Sequence, residues 1–261
     1  MIGVVDSGVG GLAVYRLLKA RLPQHAFLYV ADQSFAPYGY RSQTEIIERM
    51  RTMQSFFVAH GAVMTVIACN TATVSAIDAL RIEFSQNEII GIEPAVKPAA
   101  QAHRGVVVLG TDSTVNNARY RALVKQWQQQ AVIYNIGLTE LVRQVESGDL
   151  ISMRLLEEQL AVALARGVTA VVVGCTHFSF LVPAMQRRWP HLAFFDGAAG
   201  VAEQVVSRVQ SLGIPEDTEP DTFYSTAGVR EVWLLDDPTR FEPLDLTAVA
   251  APGVNQVEYT A

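Results

Sequence analysis

Two cysteines are the residues of this 261-residue chain whose type and spacing point most directly to chemistry. Cys69 ends the apolar run Val63–Cys69, Cys175 ends the apolar run Ala170–Cys175, and a helical pattern follows each of them. The partial positive charge at a helix N-terminus lowers the pKa of a nearby thiol. A lone buried cysteine is more often a small apolar core residue, but these matched settings favour thiolates that act as bases or nucleophiles.

His177, two residues after the second cysteine, leaves several chemistries open. With Cys175 it could form a nucleophilic pair, part of a metal site, or an acid–base pair. Metal binding is the least favoured, because the two cysteines and the histidine lack the close spacing of a zinc site. A cysteine hydrolase needs one nucleophile and leaves Cys69 unexplained. Two thiols facing one pocket suit a reaction in which one removes a proton and the other delivers one to the opposite face.

A glycine-rich turn, Gly8–Ala13, follows the first apolar run and opens a helical pattern. Together with Asp32 at the end of the next run, it partly matches a dinucleotide-binding fingerprint. The charge of Asp6 would face a pyrophosphate, however, and the third glycine of the fingerprint is displaced. A turn whose backbone N–H groups cradle a smaller anion, such as a carboxylate, fits better. Glycines required only by a tight turn are the structural alternative.

Hydroxyl and amide side chains cluster where predicted strands end. They could bind the carboxylates and the ammonium group of an amino acid, although each could also be an ordinary helix cap. These candidate substrate-binding residues are Asn70, Thr71, Thr111, Thr114 and Thr176.

The elements that must position these residues alternate between strands and helices. Short β-branched runs predict strands at Ile2–Asp6, Phe27–Asp32, Val63–Cys69, Ile89–Ile92, Val106–Gly110, Val132–Ile136, Ala170–Cys175 and Ala193–Asp196. Three- and four-residue apolar spacing predicts helices at Leu12–Arg21, Gln43–Ala59, Val74–Phe84, Thr114–Gln128 and Ser152–Ala165. This alternation is typical of a doubly wound parallel α/β sheet, in which ligands bind beyond the carboxyl ends of the strands.

Composition excludes several function classes. Hydrophobic residues make up 50% of the chain and the net charge is −6, without a Lys/Arg-rich block, so nucleic acid is not an expected partner. The apolar runs are far shorter than the roughly 20 residues that span a bilayer, and the first residues lack a signal-peptide pattern. We therefore expect a cytoplasmic protein, without a membrane partner, in which both cysteines are reduced.

A further set of motifs runs along the chain: Asp6-Ser7-Gly8-Val9-Gly10-Gly11, Pro37-Tyr38-Gly39, Ala68-Cys69-Asn70-Thr71-Ala72, Gly91-Ile92-Glu93-Pro94, Gly110-Thr111 with Thr114, Gly174-Cys175-Thr176-His177, Phe195-Asp196-Gly197 and Val201-Ala202. Taken together, these motifs resemble the aspartate/glutamate racemase family, and glutamate racemases within it, in order and spacing from residue 2 to about residue 202.

The resemblance implies two similar α/β domains with the active site between them: residues 1–92 plus about 208–261, and about 93–207. It implies an isomerase that interconverts L- and D-glutamate without a cofactor or a metal, and that supplies D-glutamate for peptidoglycan, hence for the cell wall and cell shape. Racemisation of aspartate or another acidic amino acid is the alternative. We expect glutamate as the small-molecule partner and allow for a homodimer.

The resemblance also implies roles for individual residues. Cys69 corresponds to the thiol that takes the α-proton from D-glutamate, and Cys175 to the thiol that takes it from L-glutamate. Asp6 corresponds to the acid beside the first cysteine, His177 to the partner of the second, and Glu146 to a further acid near the second. The predicted substrate contacts are Asp6, Ser7, Pro37, Tyr38, Gly39, Asn70, Thr71, Thr111, Thr114, Thr176 and His177.

Two stretches depart from the family pattern. Ser179 stands where the family commonly has proline, and Gln33–Ala36 is unusual. We also expect no N-terminal extension of the kind that some members carry, because Asp6 lies so near Met1.

Overall fold

Eleven strands and ten helices make up the computed structural model, which describes residues 1–147, 153–217, 219–228, 230–234 and 237–244. The strands are β1 (Ile2–Asp6), β2 (Phe27–Ala31), β3 (Met64–Ile67), β4 (Glu88–Gly91), β5 (Gly105–Gly110), β6 (Val132–Gly137), β7 (Ala170–Val173), β8 (Ala193–Asp196), β9 (Thr222–Ser225), β10 (Arg230–Leu234) and β11 (Asp237–Pro243). The helices are α1 (Leu12–Arg21), α2 (Gln43–Ala59), α3 (Asn70–Glu83), α4 (Val96–Ala102), α5 (Asp112–Asn116), α6 (Ala118–Lys125), α7 (Thr139–Ser147), α8 (Met153–Ala165), α9 (Val182–Arg188) and α10 (Ala198–Leu212).

The strands form two sheets. The first has the order β10-β11-β9-β2-β1-β3-β4 and is parallel except for the β10–β11 pair. The second has the order β6-β5-β7-β8 and is parallel throughout. Both arrangements confirm the predicted fold class of two doubly wound parallel α/β regions.

Apolar cores cover both faces of each sheet, as parallel strands joined by helices require. Along β1, Val4 faces one core and Val5 faces the other; along β5, Val106 and Val107 do the same. The strands are therefore apolar on both faces, and polar side chains collect at their ends. The candidate site residues lie at or just after the carboxyl ends of four strands, β1 and β3 in the first sheet and β5 and β7 in the second.

The prediction of one continuous helix over Thr114–Gln128 is wrong, because two helices, α5 and α6, share this segment. Asn117 has an extended backbone with φ −70° and ψ 141°, which ends α5, and its side chain accepts a 2.8 Å hydrogen bond from the N–H of Arg119, which begins α6. Asparagine caps a helix better than it continues one, so this residue divides the segment.

The helix predicted over Val74–Phe84 begins earlier, at Asn70, because Cys69 takes the position that caps α3. The predicted strands and the helices α1 and α2 agree with the observed elements. Ser152, at the start of the fifth predicted helix, lies outside the described residues.

Helix α10 leaves the second sheet and packs on the first. Its residues Val201 and Val205 share a core with Ile2, Val4 and Leu12. The division of the chain into domains stays a prediction, and residues 245–261 of the predicted first domain lie outside the described residues. None of the helices in the described part of the chain is long and apolar enough to cross a membrane.

Candidate active site

Cys69 lies at the carboxyl end of β3, where it caps α3. Its Sγ accepts a hydrogen bond from the N–H of Ala72 at 3.4 Å and donates to the hydroxyl of Ser7 at 3.7 Å. Burial, with the charge of Asp6, raises the pKa of this thiol to about 12, although the bonds from Ala72 and Ser7 act in the opposite direction. The helix N-terminus therefore does not by itself make Cys69 a thiolate, contrary to the expectation from its position.

Cys175 occupies the corresponding place at the end of β7, ahead of a 3-10 turn over Thr176–Leu181. Its Sγ lies 3.8 Å from Nδ1 of His177, and both residues are buried. The second thiol therefore has a titratable partner of its own, as the spacing in the sequence predicts.

Glu146 contacts the other ring nitrogen of this histidine. Its Oε1 forms a short hydrogen bond with Nε2 of His177. Burial favours the neutral ring, but the charge of Glu146 and the bonds to Cys175 and Glu146 outweigh it, so the pKa of His177 lies well above its ordinary value. Burial also raises the pKa of Glu146, yet His177 and further hydrogen-bond donors bring it below the usual value. An imidazolium–carboxylate pair beside Cys175 follows from these opposing effects.

Glu146 also joins the two sheets. It sits on α7, beside the second sheet, and its carboxylate accepts hydrogen bonds from the N–H of Val9 at 2.7 Å and from the Gln33 amide at 3.0 Å, both beside the first sheet. Gly8 leaves room for this approach, because a Cβ there would lie 1.8 Å from Oε1 of Glu146. The glycine turn therefore donates an N–H to a carboxylate of the protein itself.

Asp6 connects the surroundings of the two cysteines. Its carboxylate accepts from the N–H of Gly8 at 2.9 Å and from the hydroxyl of Thr176 at 3.0 Å. Burial raises the pKa of Asp6 above its ordinary value, and the charge of His177 together with these two bonds only partly offsets that rise. Thr176 adjoins Cys175 and Ser7 adjoins Asp6, so the predicted acid–base residues form one connected cluster.

Three threonine hydroxyls meet where α3 faces the second sheet. The hydroxyl of Thr71 lies 2.9 Å from that of Thr111 and 3.0 Å from that of Thr114, and the last two are 2.9 Å apart. All three residues are buried. Such a cluster offers exchangeable donors and acceptors, and binding of a carboxylate there stays a prediction.

The predicted Pro37-Tyr38-Gly39 segment forms a 3-10 turn against the second sheet after a cis peptide bond at Pro37. A Cβ on Gly39 would lie 2.9 Å from Cβ of Thr111 and 2.5 Å from Thr139. The hydroxyl of Tyr38 donates to Asp32 at 2.7 Å.

Asp32, the acidic residue of the partial dinucleotide-binding fingerprint, forms hydrogen bonds within the protein. It forms a bidentate pair with Arg49 at 2.5 and 2.7 Å, and the hydroxyl of Thr226 donates to it at 2.8 Å. A carboxylate held in this way does not support the dinucleotide alternative.

Asn70 is a buried residue whose Oδ1 has no hydrogen-bond partner within the described residues. A buried acceptor without a partner costs stability, and this one belongs to the residue that follows Cys69, where a donor group of a ligand could satisfy it. No set of three or more histidine, cysteine, aspartate or glutamate side chains suited to a metal occurs in the ranges that the structure describes.

Comparison with known proteins agrees with this geometry. Residues 2–205 match the model of the Asp/Glu/Hydantoin racemase family. The chain belongs to this family. It is 41% identical over 210 residues to a glutamate racemase of Pseudomonas aeruginosa, a match that covers 78% of this chain and 79% of the relative. It is 36% identical over 247 residues to a glutamate racemase of Pseudomonas syringae, covering 92% of this chain and 87% of that one.

Among solved structures, Escherichia coli glutamate racemase in complex with L-glutamate and the activator UDP-MurNAc-Ala is similar in fold. Its TM-score is 0.77, its sequence identity is 29%, and the match covers 86% of this chain and 88% of that one. The resemblance inferred from the motifs is thereby confirmed, and the protein is a racemase, an isomerase.

Three residues of the site were given no role by the sequence analysis, although Gln33 lies in the stretch that departs from the family pattern. Gln33 bonds Glu146, Ser225 bonds Gln33 at 2.8 Å, and Arg49 pairs with Asp32. Gln33 directly follows a predicted strand, so the polar residue at that strand end was an available signal. Ser225 and Arg49 carry no comparable signal, because their roles depend on strand order and helix packing.

Proposed function

We propose that this racemase interconverts L- and D-glutamate by a two-base mechanism in which its two cysteines exchange protons with the α-carbon. The observation that carries the proposal is the connected cluster in which each buried thiol has its own polar partner, Ser7 for Cys69 and His177 for Cys175. The 41% identity to a named glutamate racemase supports the substrate, as does the similarity to the E. coli enzyme solved with L-glutamate.

The chemical problem is the low acidity of an α-proton next to a carboxylate. In the proposed mechanism Cys175, as thiolate, removes this proton from L-glutamate, and Cys69, as thiol, then donates its proton to the opposite face. The protonation states of the two thiols are then reversed, and D-glutamate reacts by the same steps backwards. Fixed hydrogen-bond donors in a water-poor cleft stabilise the negative charge that develops on the substrate, so the scheme requires no added cofactor or metal.

The remaining predicted residues surround the reacting atoms. We assign Asp6 to the first thiol, and His177 with Glu146 to the second, as acid–base residues. We assign substrate contacts to Asp6, Ser7, Pro37, Tyr38, Gly39, Asn70, Thr71, Thr111, Thr114, Thr176 and His177. The unpartnered Oδ1 of Asn70 supports such a contact, since an ammonium group can donate to it.

We infer that the enzyme works in the cytoplasm with glutamate as its small-molecule substrate. There it supplies D-glutamate for peptidoglycan and hence for cell shape. A homodimer stays a prediction. Racemisation of aspartate or another acidic amino acid is the competing function. The sequence identity of 41% and 36% to two named glutamate racemases favours glutamate as the substrate.

The decisive experiment is proton NMR of L-glutamate, D-glutamate and L-aspartate, each incubated with the dialysed protein in deuterated water. We expect loss of the α-proton signal of both glutamate enantiomers, with loss of circular dichroism from either direction and no change in aspartate. A protein that exchanges only aspartate contradicts the glutamate assignment. A protein that exchanges none of the three contradicts the proposed function.

Variants of the cysteines test the two-base scheme. Cys69→Ala and Cys175→Ala should each abolish racemisation, because either change removes one of the two proton carriers. Full activity in either variant contradicts the scheme. Thermal unfolding of both variants serves as a control that the fold is retained.

A further inference from the structure

Gln33 joins the first sheet to the acid–base pair beside the second. It lies two residues after the end of β2, and its amide Nε2 donates to Oε2 of Glu146 at 3.0 Å. The other end of the same amide, Oε1, accepts from the hydroxyl of Ser225 at 2.8 Å. Ser225 is fully buried at the end of β9, the strand that pairs with β2. One side chain therefore links the last residue of β9 to the carboxylate on α7.

The orientation of this amide follows from its neighbours. The Ser225 hydroxyl oxygen accepts a hydrogen bond from the N–H of Ala227 at 3.1 Å, so its own proton is directed at the carbonyl oxygen of Gln33. The amide NH2 group must then face Glu146, which accepts hydrogen bonds in its ionised form. The network selects one rotamer of Gln33 and favours one ionisation state of Glu146.

The two carboxylate oxygens of Glu146 have different partners. Oε1 bonds the N–H of Val9 and the ring of His177, whereas Oε2 bonds Gln33. Loss of the Gln33 donor removes a charge-assisted bond from a mostly buried carboxylate, which favours a protonated or rotated side chain. Either change weakens the hydrogen bond and the charge interaction between Glu146 and His177, the partner of Cys175.

We propose that Gln33 is a positioning residue for the racemisation, which holds Glu146 ionised and aligned with His177 and thereby assists proton transfer at Cys175. The inference rests on the proposed function. Its effect falls first on the Cys175 side of the reaction, because Glu146 bonds His177 whereas the bonds of Cys69 run to Ser7 and Ala72. Asp6 and Cys175 also face His177, and both are unchanged in the test.

The test uses Gln33→Met, which keeps the length of the side chain and removes its amide. The two enantiomers have equal free energies, so kcat/KM must be the same in both directions for any variant. A loss confined to one proton transfer is therefore visible in isotope effects. We expect kcat/KM to fall about tenfold, the effect of one hydrogen bond to a charged group.

The deuterium isotope effects on kcat/KM should change in opposite directions. With α-deuterated L-glutamate the effect should rise, because removal of the proton by Cys175 becomes rate-limiting. With α-deuterated D-glutamate it should fall, because removal by Cys69 no longer limits the rate. A general loosening of the fold would lower the rate without separating the two substrates.

Two further variants sharpen this test. Ser225→Ala leaves the bond to Glu146 but frees the other end of the amide, so we expect the same isotope pattern with a smaller loss. Gln43→Met is the matched control, because Gln43 donates its amide to the carbonyl of Ser75 at 3.1 Å rather than to Glu146. Its rates and isotope effects should equal those of the wild type.

A second readout needs no turnover. In ¹⁵N NMR of labelled histidine, assigned with His177→Asn, the ring of His177 should lose a proton at lower pH in Gln33→Met than in the wild type. Isotope effects and titration equal to those of the wild type would overturn the positioning role in an active enzyme. If the wild type fails to racemise glutamate, the proposed function fails, and the titration alone decides whether Gln33 acts on the pair.

Discussion

The hydroxyl of Thr176 donates a 3.0 Å hydrogen bond to Asp6, so the residue after the second cysteine is held by the acid beside the first. Asp6 lies next to Ser7, which accepts from Cys69, and its charge acts on His177, the partner of Cys175. The surroundings of the two thiols are therefore coupled through one buried carboxylate. A change at Asp6 should alter both.

The first prediction concerns the protonation of Cys69. Its pKa is raised to about 12 by burial and by the charge of Asp6, so the thiol should stay protonated in the free enzyme up to about pH 10. Asp6→Asn removes the charge and should lower this pKa. Carbon NMR of labelled cysteine Cβ atoms, assigned with Cys69→Ser, follows the titration.

Asp78→Asn provides the control for this titration, because Asp78 pairs with Arg119 on the surface. It should leave the Cys69 signal unchanged. A Cys69 signal that titrates at neutral pH in the wild type would contradict the prediction.

The second prediction concerns Glu146→Gln and the pH dependence of stability. Since the pKa of Glu146 is lowered in the folded state, its contribution is present above the ordinary value of 4.5 and is lost as the pH falls through the folded pKa. Since the pKa of His177 is raised, its contribution is present below 6.5 and is lost as the pH rises through the folded pKa. The pair therefore stabilises the fold fully between these two ordinary values.

We expect Glu146→Gln to lower the free energy of unfolding by about 3 kcal/mol near the middle of that range, the scale of breaking a buried ion pair. The difference from the wild type should shrink towards stronger acid and towards strong alkali. Urea unfolding at a series of pH values measures it, and Glu140→Gln, which breaks an exposed pair with Arg143, should show little change. A difference that does not vary with pH would refute the assignment of charge to the pair.

The third prediction concerns the close approach at Gly8. Gly8→Ala would place a Cβ 1.8 Å from Oε1 of Glu146, so the carboxylate must leave its place beside His177. We expect a loss of about 1–3 kcal/mol in the free energy of unfolding, together with a loss of most racemase activity.

Gly200→Ala is the matched control for that change, because its Cβ would meet no heavy atom within 4 Å and it lies inside α10. This variant should gain about 0.5–1 kcal/mol from its higher helix propensity. Thermal unfolding and kcat/KM of both variants test this prediction. Equal stability of Gly8→Ala and Gly200→Ala would contradict the predicted clash between the added Cβ and Glu146.

The fourth prediction concerns Asn70, whose buried Oδ1 lacks a hydrogen-bond partner in the described chain. Asn70→Ala should leave the thermal stability of the free enzyme unchanged or raise it, because the change removes a buried acceptor that makes no hydrogen bond in the free protein. It should raise KM for glutamate and reduce the stabilisation that D-glutamate confers on unfolding. A large drop in melting temperature without substrate, with KM unchanged, would indicate a structural role instead.

Much of the fold follows from local patterns in the chain. The runs that become β1, β5 and β7 are apolar on both faces, which is the signature of strands covered by helices on both sides. Asn117 shows where that argument fails, because apolar spacing continued through a residue whose side chain caps the next helix. Periodicity reports burial, and a cap is decided by a single local hydrogen bond.

The sequence by itself determined the α/β class, the resemblance to the racemase family, and the residues that gather at the strand ends, because strand order in parallel sheets brings carboxyl ends to one edge. Only the tertiary structure decided which of them touch. Glu146 reaches Val9 and Gln33 across two sheets, and Asp32 pairs with Arg49 rather than facing a ligand. Such contacts depend on how segments that are distant in the chain pack together. Packing also decides burial, and burial raises the pKa of Cys69 despite its position at a helix N-terminus.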